Sequence, residues 1–131
     1  MSTAYGPVLI EHFRRPHNQG TLLAPTISQE GANPLCGDRV RIELLLDGDV
    51  VRDARFTANA CAICVASASM LTDLVRSAPL EEVETLVVDD LLRSLDARIP
   101  QMRMNCVRLP LTIMHAAVNL YRRATMSRDE S

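Results

Sequence analysis

Arg39-Val40-Arg41-Ile42-Glu43-Leu44-Leu45-Leu46-Asp47-Gly48-Asp49-Val50-Val51-Arg52-Asp53-Ala54-Arg55-Phe56-Thr57 reads as a β-hairpin. Val40, Ile42, Leu44 and Leu46 alternate with Arg39, Arg41 and Glu43, the period-two pattern of a strand with one buried face. Asp47-Gly48-Asp49 is a turn signal, and Val50 to Thr57 returns as the second strand.

Upstream of the hairpin, His17 to Pro34 holds Gly20, Pro25, Gly31 and Pro34 and reads as loop, with one short edge strand around Thr26 to Gln29. Residues 3 to 15 form a predicted helix with Tyr5, Leu9, His12 and Phe13 on one face. Thr3 or Ser2 caps it, Pro7 sits in its first turn and Pro16 stops it. Downstream, Ile63, Ala66, Ser67, Met70, Leu71 and Leu74 recur at helical spacing, which predicts a helix from about Ala62 to Ser77. Leu80 to Leu86 and Asp89 to Leu95 read as two short helices, closed by Pro100. A last helix carries Leu111, Met114, Val118 and Tyr121 inward, with Pro110 in its first turn or at a kink. It is expected to end near Ala124, leaving a polar, disordered tail from about Thr125.

The 131 residues amount to one domain, 1–131, and 47% hydrophobic content is enough for a core without disulfides. Fourteen basic residues against sixteen acidic ones argue against nucleic acid as a partner. All the basic residues are arginine, which excludes a lysine Schiff base and a Walker-type phosphate loop. No apolar run is long enough to span a bilayer and no secretory h-region opens the chain, so the expected setting is cytoplasmic, with no membrane partner.

In a reducing compartment the four cysteines, Cys36, Cys61, Cys64 and Cys106, are not expected to form disulfides. Cys36 precedes the first hairpin strand, Cys61 lies between the second strand and a helix, and Cys106 lies at the start of the last helix. Cysteines at element junctions, two of them at helix N-termini, suit thiolates that bind metal or carry sulfur better than they suit packing. Asp38, two residues after Cys36 across Gly37, could complete a Cys3Asp tetrahedral site for zinc; read alone, it is a turn residue capping the strand. Cys64, one helical turn beyond Cys61, reads as core. His12 and His115 read as packing or surface residues, and His17 could approach a site from its loop. Cys106 has the strongest local case for a thiolate, because Arg103 and Arg108 flank it.

At these residues the chain resembles the U-type iron–sulfur cluster assembly proteins: the IscU scaffold, the NifU N-terminal domain and SufU. The likeness runs from about Ala4 to Arg123. It is carried by Tyr5 with His12-Phe13-Arg14-Arg15-Pro16-His17-Asn18-Gln19-Gly20, by Asn33-Pro34-Leu35-Cys36-Gly37-Asp38, by Asp53-Ala54-Arg55-Phe56 with Cys61 and Ala66-Ser67-Ala68-Ser69-Met70, and by Cys106 with Leu109-Pro110. The resemblance implies an α+β fold, a small antiparallel sheet of about three strands with helices packed on it and three cysteines meeting at one end. It implies Cys36, Cys61 and Cys106 as sulfur and metal ligands, Asp38 as fourth ligand or modulator, and Cys106 as persulfide acceptor. The implied cofactors are zinc in the protein as isolated, about one per chain, and a transient [2Fe–2S] cluster. The implied partners are a cysteine desulfurase docking near Tyr5, apo iron–sulfur client proteins and an iron donor.

Four departures qualify the resemblance. Asn105 stands where IscU has a histidine, and Ala60 where the family usually has glycine, so the backbone before Cys61 is expected to avoid positive φ. Ile99-Pro100-Gln101-Met102-Arg103 replaces the Leu-Pro-Pro-Val-Lys stretch of IscU, so Hsp70-type chaperone recognition is not carried over. Arg103 is SufU-like, yet the 44 residues between Cys61 and Cys106 leave no room for the insertion SufU carries there. Three functions therefore stay open: a cluster scaffold, a SufU-type zinc-dependent sulfurtransferase, and a small protein with a purely structural zinc.

Overall fold

A computed structural model of the chain describes residues 5–35 and 37–129, the last three of these as backbone only. In chain order the elements are α1 (Gly6–Arg14), β1 (Ile27–Asn33), β2 (Asp38–Asp47), β3 (Val50–Asn59), α2 (Ala62–Val75), α3 (Leu80–Thr85), α4 (Val88–Leu95), a 3-10 turn (Gln101–Arg103) and α5 (Met104–Asp129). The three strands form one antiparallel sheet in the order β1-β2-β3. This is the α+β arrangement expected, with the quoted hairpin as β2 and β3.

The alternation in the hairpin decides which face is covered. Val40, Ile42, Leu44, Ala54 and Phe56 are fully buried and share a core with residues of α2 and α5. Each of these side chains contributes roughly 1.5–3 kcal/mol on leaving water, somewhat less for alanine. On the opposite face Glu43 is covered by the loop before β1, accepting a hydrogen bond from the Leu22 N–H at 2.7 Å and one from Arg41 at 3.1 Å. A register shift between Leu45 and Leu46 marks a bulge near the turn.

Ten of the fourteen residues of α2 are buried, so this helix is apolar nearly all round. It lies between β3, α5, α4 and α1, and α1 closes its outer side through Leu9, Ala66 and Leu95. The segment after α1 then runs along β3. The Phe56 N–H donates to the Asn18 carbonyl at 3.0 Å, and the Gly20 N–H donates to the Phe56 carbonyl at 2.8 Å.

Several boundaries differ from the sequence reading. Residues 3 and 2, expected to cap α1, lie outside the described residues, and the helix opens after Tyr5 with Pro7 in its first turn. β1 is longer than Thr26–Gln29, because pairing from Ile27↔Leu44 to Asn33↔Asp38 satisfies its backbone whatever its propensity. α2 stops at Val75, where Arg76 turns extended and Ser77 adopts φ 69°. α5 does not end near Ala124, and residues 125–129 continue the helix rather than forming a disordered tail. There the Thr125 hydroxyl donates to the carbonyls of Tyr121 and Arg122. Pro110 lies inside α5, beyond its first turn.

Gly31 sets how closely α5 approaches the sheet. A Cβ at this position would lie 2.8 Å from Cγ1 and 3.0 Å from Cδ1 of Ile113, which is itself buried. Gly31→Ala is therefore expected to cost roughly 1–3 kcal/mol, as overpacking does. Urea denaturation checks this.

Candidate metal centre

Three elements deliver three side chains to one end of the sheet. Asp38 is the first residue of β2 and pairs with Asn33 of β1. The turn before it needs the left-handed conformation of Gly37, φ +73°, with open space around that residue. Cys61 is the N-cap of α2, in extended conformation, and its carbonyl accepts the first helical hydrogen bond, from Val65 at 3.0 Å. Cys106 is the third residue of α5 and fully buried.

Asp38 is more than a turn residue. It is 2% exposed, and its Oδ1 accepts the backbone N–H of Cys61 at 2.9 Å. Its Oδ2 lies 3.9 Å from Cys61 Sγ. A carboxylate oxygen of Asp38 and the sulfurs of Cys61 and Cys106 all lie within 4.8 Å of one another. The carboxylate also sits at the positive end of the α2 dipole, which favours an anion there. Ala60, as expected, is not among the described residues with positive φ.

Cys61 and Asp38, packed this close, oppose the ionisation of Cys106. The Cys106 thiol is pushed up to about 12, first by burial, then by Cys61, then by Asp38. This corrects the expectation that flanking arginines make Cys106 a ready thiolate. Arg103 does hydrogen-bond the Cys106 sulfur, and that bond is the main cause raising its own pKa. Burial, Cys61 and Asp38 outweigh it. Arg108 is exposed and instead lines a shallow groove with Ala32, Asn33, Asn105, Leu109 and Thr112.

Soft thiolates with one carboxylate suit zinc, and a bound cation relieves the crowding of negative charge. The donor set therefore fits a thiophilic divalent metal. Cys36, the remaining predicted ligand, lies outside the described residues. Cys64 is fully buried in the main core, in keeping with its reading as core, and among the described residues the donor cluster consists of Asp38, Cys61 and Cys106.

The histidines lie elsewhere. His115 Nε2 is 3.1 Å from the Val83 carbonyl. His12 is buried against α2, with Nδ1 2.7 Å from Ser69 Oγ, and burial followed by the charge of His17 lowers its pKa. His17 does not approach the cysteines; it pairs with Asp73. That pairing was not read from the sequence, because 56 residues separate the partners and only the docking of α1 on α2 joins them.

With this geometry in hand, the chain proves similar to known proteins over nearly its whole length. Residues 4–128 match the model of the NifU-like N terminal domain, and the chain belongs to that family. The zinc-dependent sulfurtransferase SufU of Bacillus subtilis is 41% identical over 81 residues, covering 62% of this chain and 54% of SufU. The match thus spans about half the length of that relative. The iron–sulfur cluster assembly scaffold protein IscU of Aquifex aeolicus is 31% identical over 123 residues, covering 92% of this chain and 78% of IscU. Among solved structures, the N-terminal part of a NifU-like protein from Brucella abortus shares the fold, with a TM-score of 0.73 at 20% identity over 88% of this chain and 92% of that one.

Two outcomes follow from the site. The raised Cys106 pKa makes the metal-free protein most stable below the ordinary thiol pKa of 9.0, with stability falling as pH rises from there toward about 12. Urea midpoints measured across this range should show the slope, and Cys106→Ala should flatten it. Cys64→Ala should cost roughly 1 kcal/mol, a small cavity, and leave metal stoichiometry unchanged by elemental analysis.

Proposed function

We propose that this chain is a single-domain iron–sulfur cluster assembly scaffold. It accepts sulfur from a cysteine desulfurase, holds a [2Fe–2S] cluster as cargo on Cys36, Cys61 and Cys106 with Asp38, and passes it to apo client proteins in the cytoplasm. The observation that carries this reading is the convergence of the Asp38 carboxylate, Cys61 and Cys106 at one end of the sheet. Cys36 is two residues from Asp38 in sequence. Membership of a family with relatives named as scaffolds supports the reading. Among the described residues no helix is long and apolar enough to cross a membrane.

The sulfur step falls to Cys106. Its sulfur lies within 4.8 Å of the Cys61 sulfur and of an Asp38 carboxylate oxygen, with Arg103 alongside. The Asp38 carboxylate takes the thiol proton as Cys106 Sγ attacks the outer sulfur of the donor persulfide. A new S–S bond forms on Cys106, the donor's S–S bond breaks, and the donor cysteine leaves as a thiolate. Arg103 stabilises the developing negative charge on Cys106 by its hydrogen bond. Because Cys106 is buried, the donor can reach it only when docking opens the end of the sheet.

A second reading is a zinc-dependent sulfurtransferase, favoured by the similarity to SufU and by Arg103 beside Cys106. Asp38→Ala separates the two. In the scaffold the loss of a hard, labile ligand slows release of a reconstituted cluster. In the sulfurtransferase it weakens zinc and abolishes stimulation of the desulfurase. Mass spectrometry after incubation with desulfurase and cysteine should find persulfide first on Cys106. Full-rate transfer to Cys106→Ser would overturn the assignment, and failure of anaerobic reconstitution with iron and sulfide would remove the scaffold reading.

A further inference from the structure

The second cluster of metal-ligating side chains lies well away from the cysteines. His12, at the inner face of α1, and His17, in the loop that follows, have ring centroids 4.4 Å apart. One nitrogen of His12, one of His17 and a carboxylate oxygen of Asp73 lie within 4.8 Å of one another. Asp73 is twelve residues beyond Cys61 along α2, about 18 Å at 1.5 Å per residue. No metal can bridge the two clusters.

His12 and Asp73 are each held by a side chain outside the cluster, and His17 by its backbone. His12 Nδ1 is 2.7 Å from Ser69 Oγ, one helical turn before Asp73 on α2. The His17 backbone N–H donates to the same Oγ at 2.8 Å, fixing the start of the loop. His17 Nδ1 lies 2.5 Å from Asp73 Oδ2, while Asn18 Nδ2 donates to Asp73 Oδ1 at 2.8 Å. Asn18 is set in turn by its φ of 61° and by a hydrogen bond from Arg76 to its Oδ1 at 2.8 Å. Outer partners of this kind orient metal ligands. His12 closes the inner side at 6% exposure, whereas the side chains of His17 and Asp73 are 47% and 36% exposed. The cluster has a fixed floor and an open mouth.

We propose that His12, His17 and Asp73 form a second metal site, for a divalent first-row transition ion of the kind that imidazole and carboxylate select, with zinc as the natural occupant. Two imidazoles and one carboxylate are a recurring ligand set for such ions, water filling the open positions. Without metal the three side chains serve as a clasp between the segment after α1 and the middle of α2. With metal the His17–Asp73 hydrogen bond gives way to two bonds to the ion, and the clasp tightens.

The test uses the full-length chain, stripped of metal and titrated with zinc, and long-range proton–nitrogen NMR of the imidazoles. Both His12 and His17 ring nitrogens should shift together and saturate at one equivalent for this site, with His115 unmoved. His17→Gln and Asp73→Asn, both at partly exposed positions, should each weaken that binding at least tenfold. The shifts should persist in Cys61→Ser/Cys106→Ser, so failure of the cysteine reading leaves this result intact. Movement of His17 alone, unchanged affinity in His17→Gln and Asp73→Asn, or shifts that vanish with the cysteines would each overturn the proposal.

Discussion

The hydrogen bond from the Cys61 N–H to Asp38 Oδ1 ties the start of β2 to the start of α2. Two elements 23 residues apart are thereby fixed at the one place where their functional side chains must meet. The bond satisfies a backbone donor at the mouth of the helix, and a charged acceptor makes it worth more than an ordinary hydrogen bond. The third element is placed by packing instead. α5 lies close across β1, where Gly31 leaves room for Ile113, and the same helix carries Cys106 into the site. Polar tethering on one side and close packing on the other give three donors a common address.

The cost of that address is electrostatic. Two thiols and a buried carboxylate within 4.8 Å repel one another whenever more than one is ionised. Arg103 is the cation hydrogen-bonded to this group, and it is fully exposed, so its field is screened by water. The fold therefore holds Cys106 in a setting that a proton or a cation can satisfy and that a bare thiolate cannot. Such a site exchanges protons for metal, which couples occupancy to pH and to the stability of the chain.

The hairpin, α2 and the two short helices were legible in the sequence because their periodicity is strong and is bounded by Gly and Pro. β1 was only half legible: Gly31 and its polar neighbours argue for loop, and β2 overrules them by offering paired backbone partners. Cys61 and Cys106 were legible from their places at element junctions, whereas Asp38 read alone as a turn residue and entered only as a possible fourth ligand beside Cys36; the structure brings the three together. The protonation of Cys106 was not legible. Neighbours in sequence suggested two arginines, while the neighbours in space that count most are Cys61 and Asp38. The His17–Asp73 pair escaped for the same reason, since it exists only once α1 has docked on α2.

Pro110 bears on how Cys106 can move. A proline inside a helix donates no N–H and crowds the carbonyl four residues earlier, which here is that of Cys106 itself. The defect, about 3 kcal/mol in an isolated helix, thus falls on the turn that carries the sulfur rather than at an arbitrary point of α5. Burial of Val107, Leu111 and Met114 on the same helix offsets it and keeps α5 continuous. The first turn beyond that packing has fewer constraints: Asn105 is exposed, and the preceding 3-10 turn buries none of its residues. On the proposed sulfur step, uncovering Cys106 would work against this turn, while the Asp38–Cys61 tether and the buried length of α2 keep the other two donors in place.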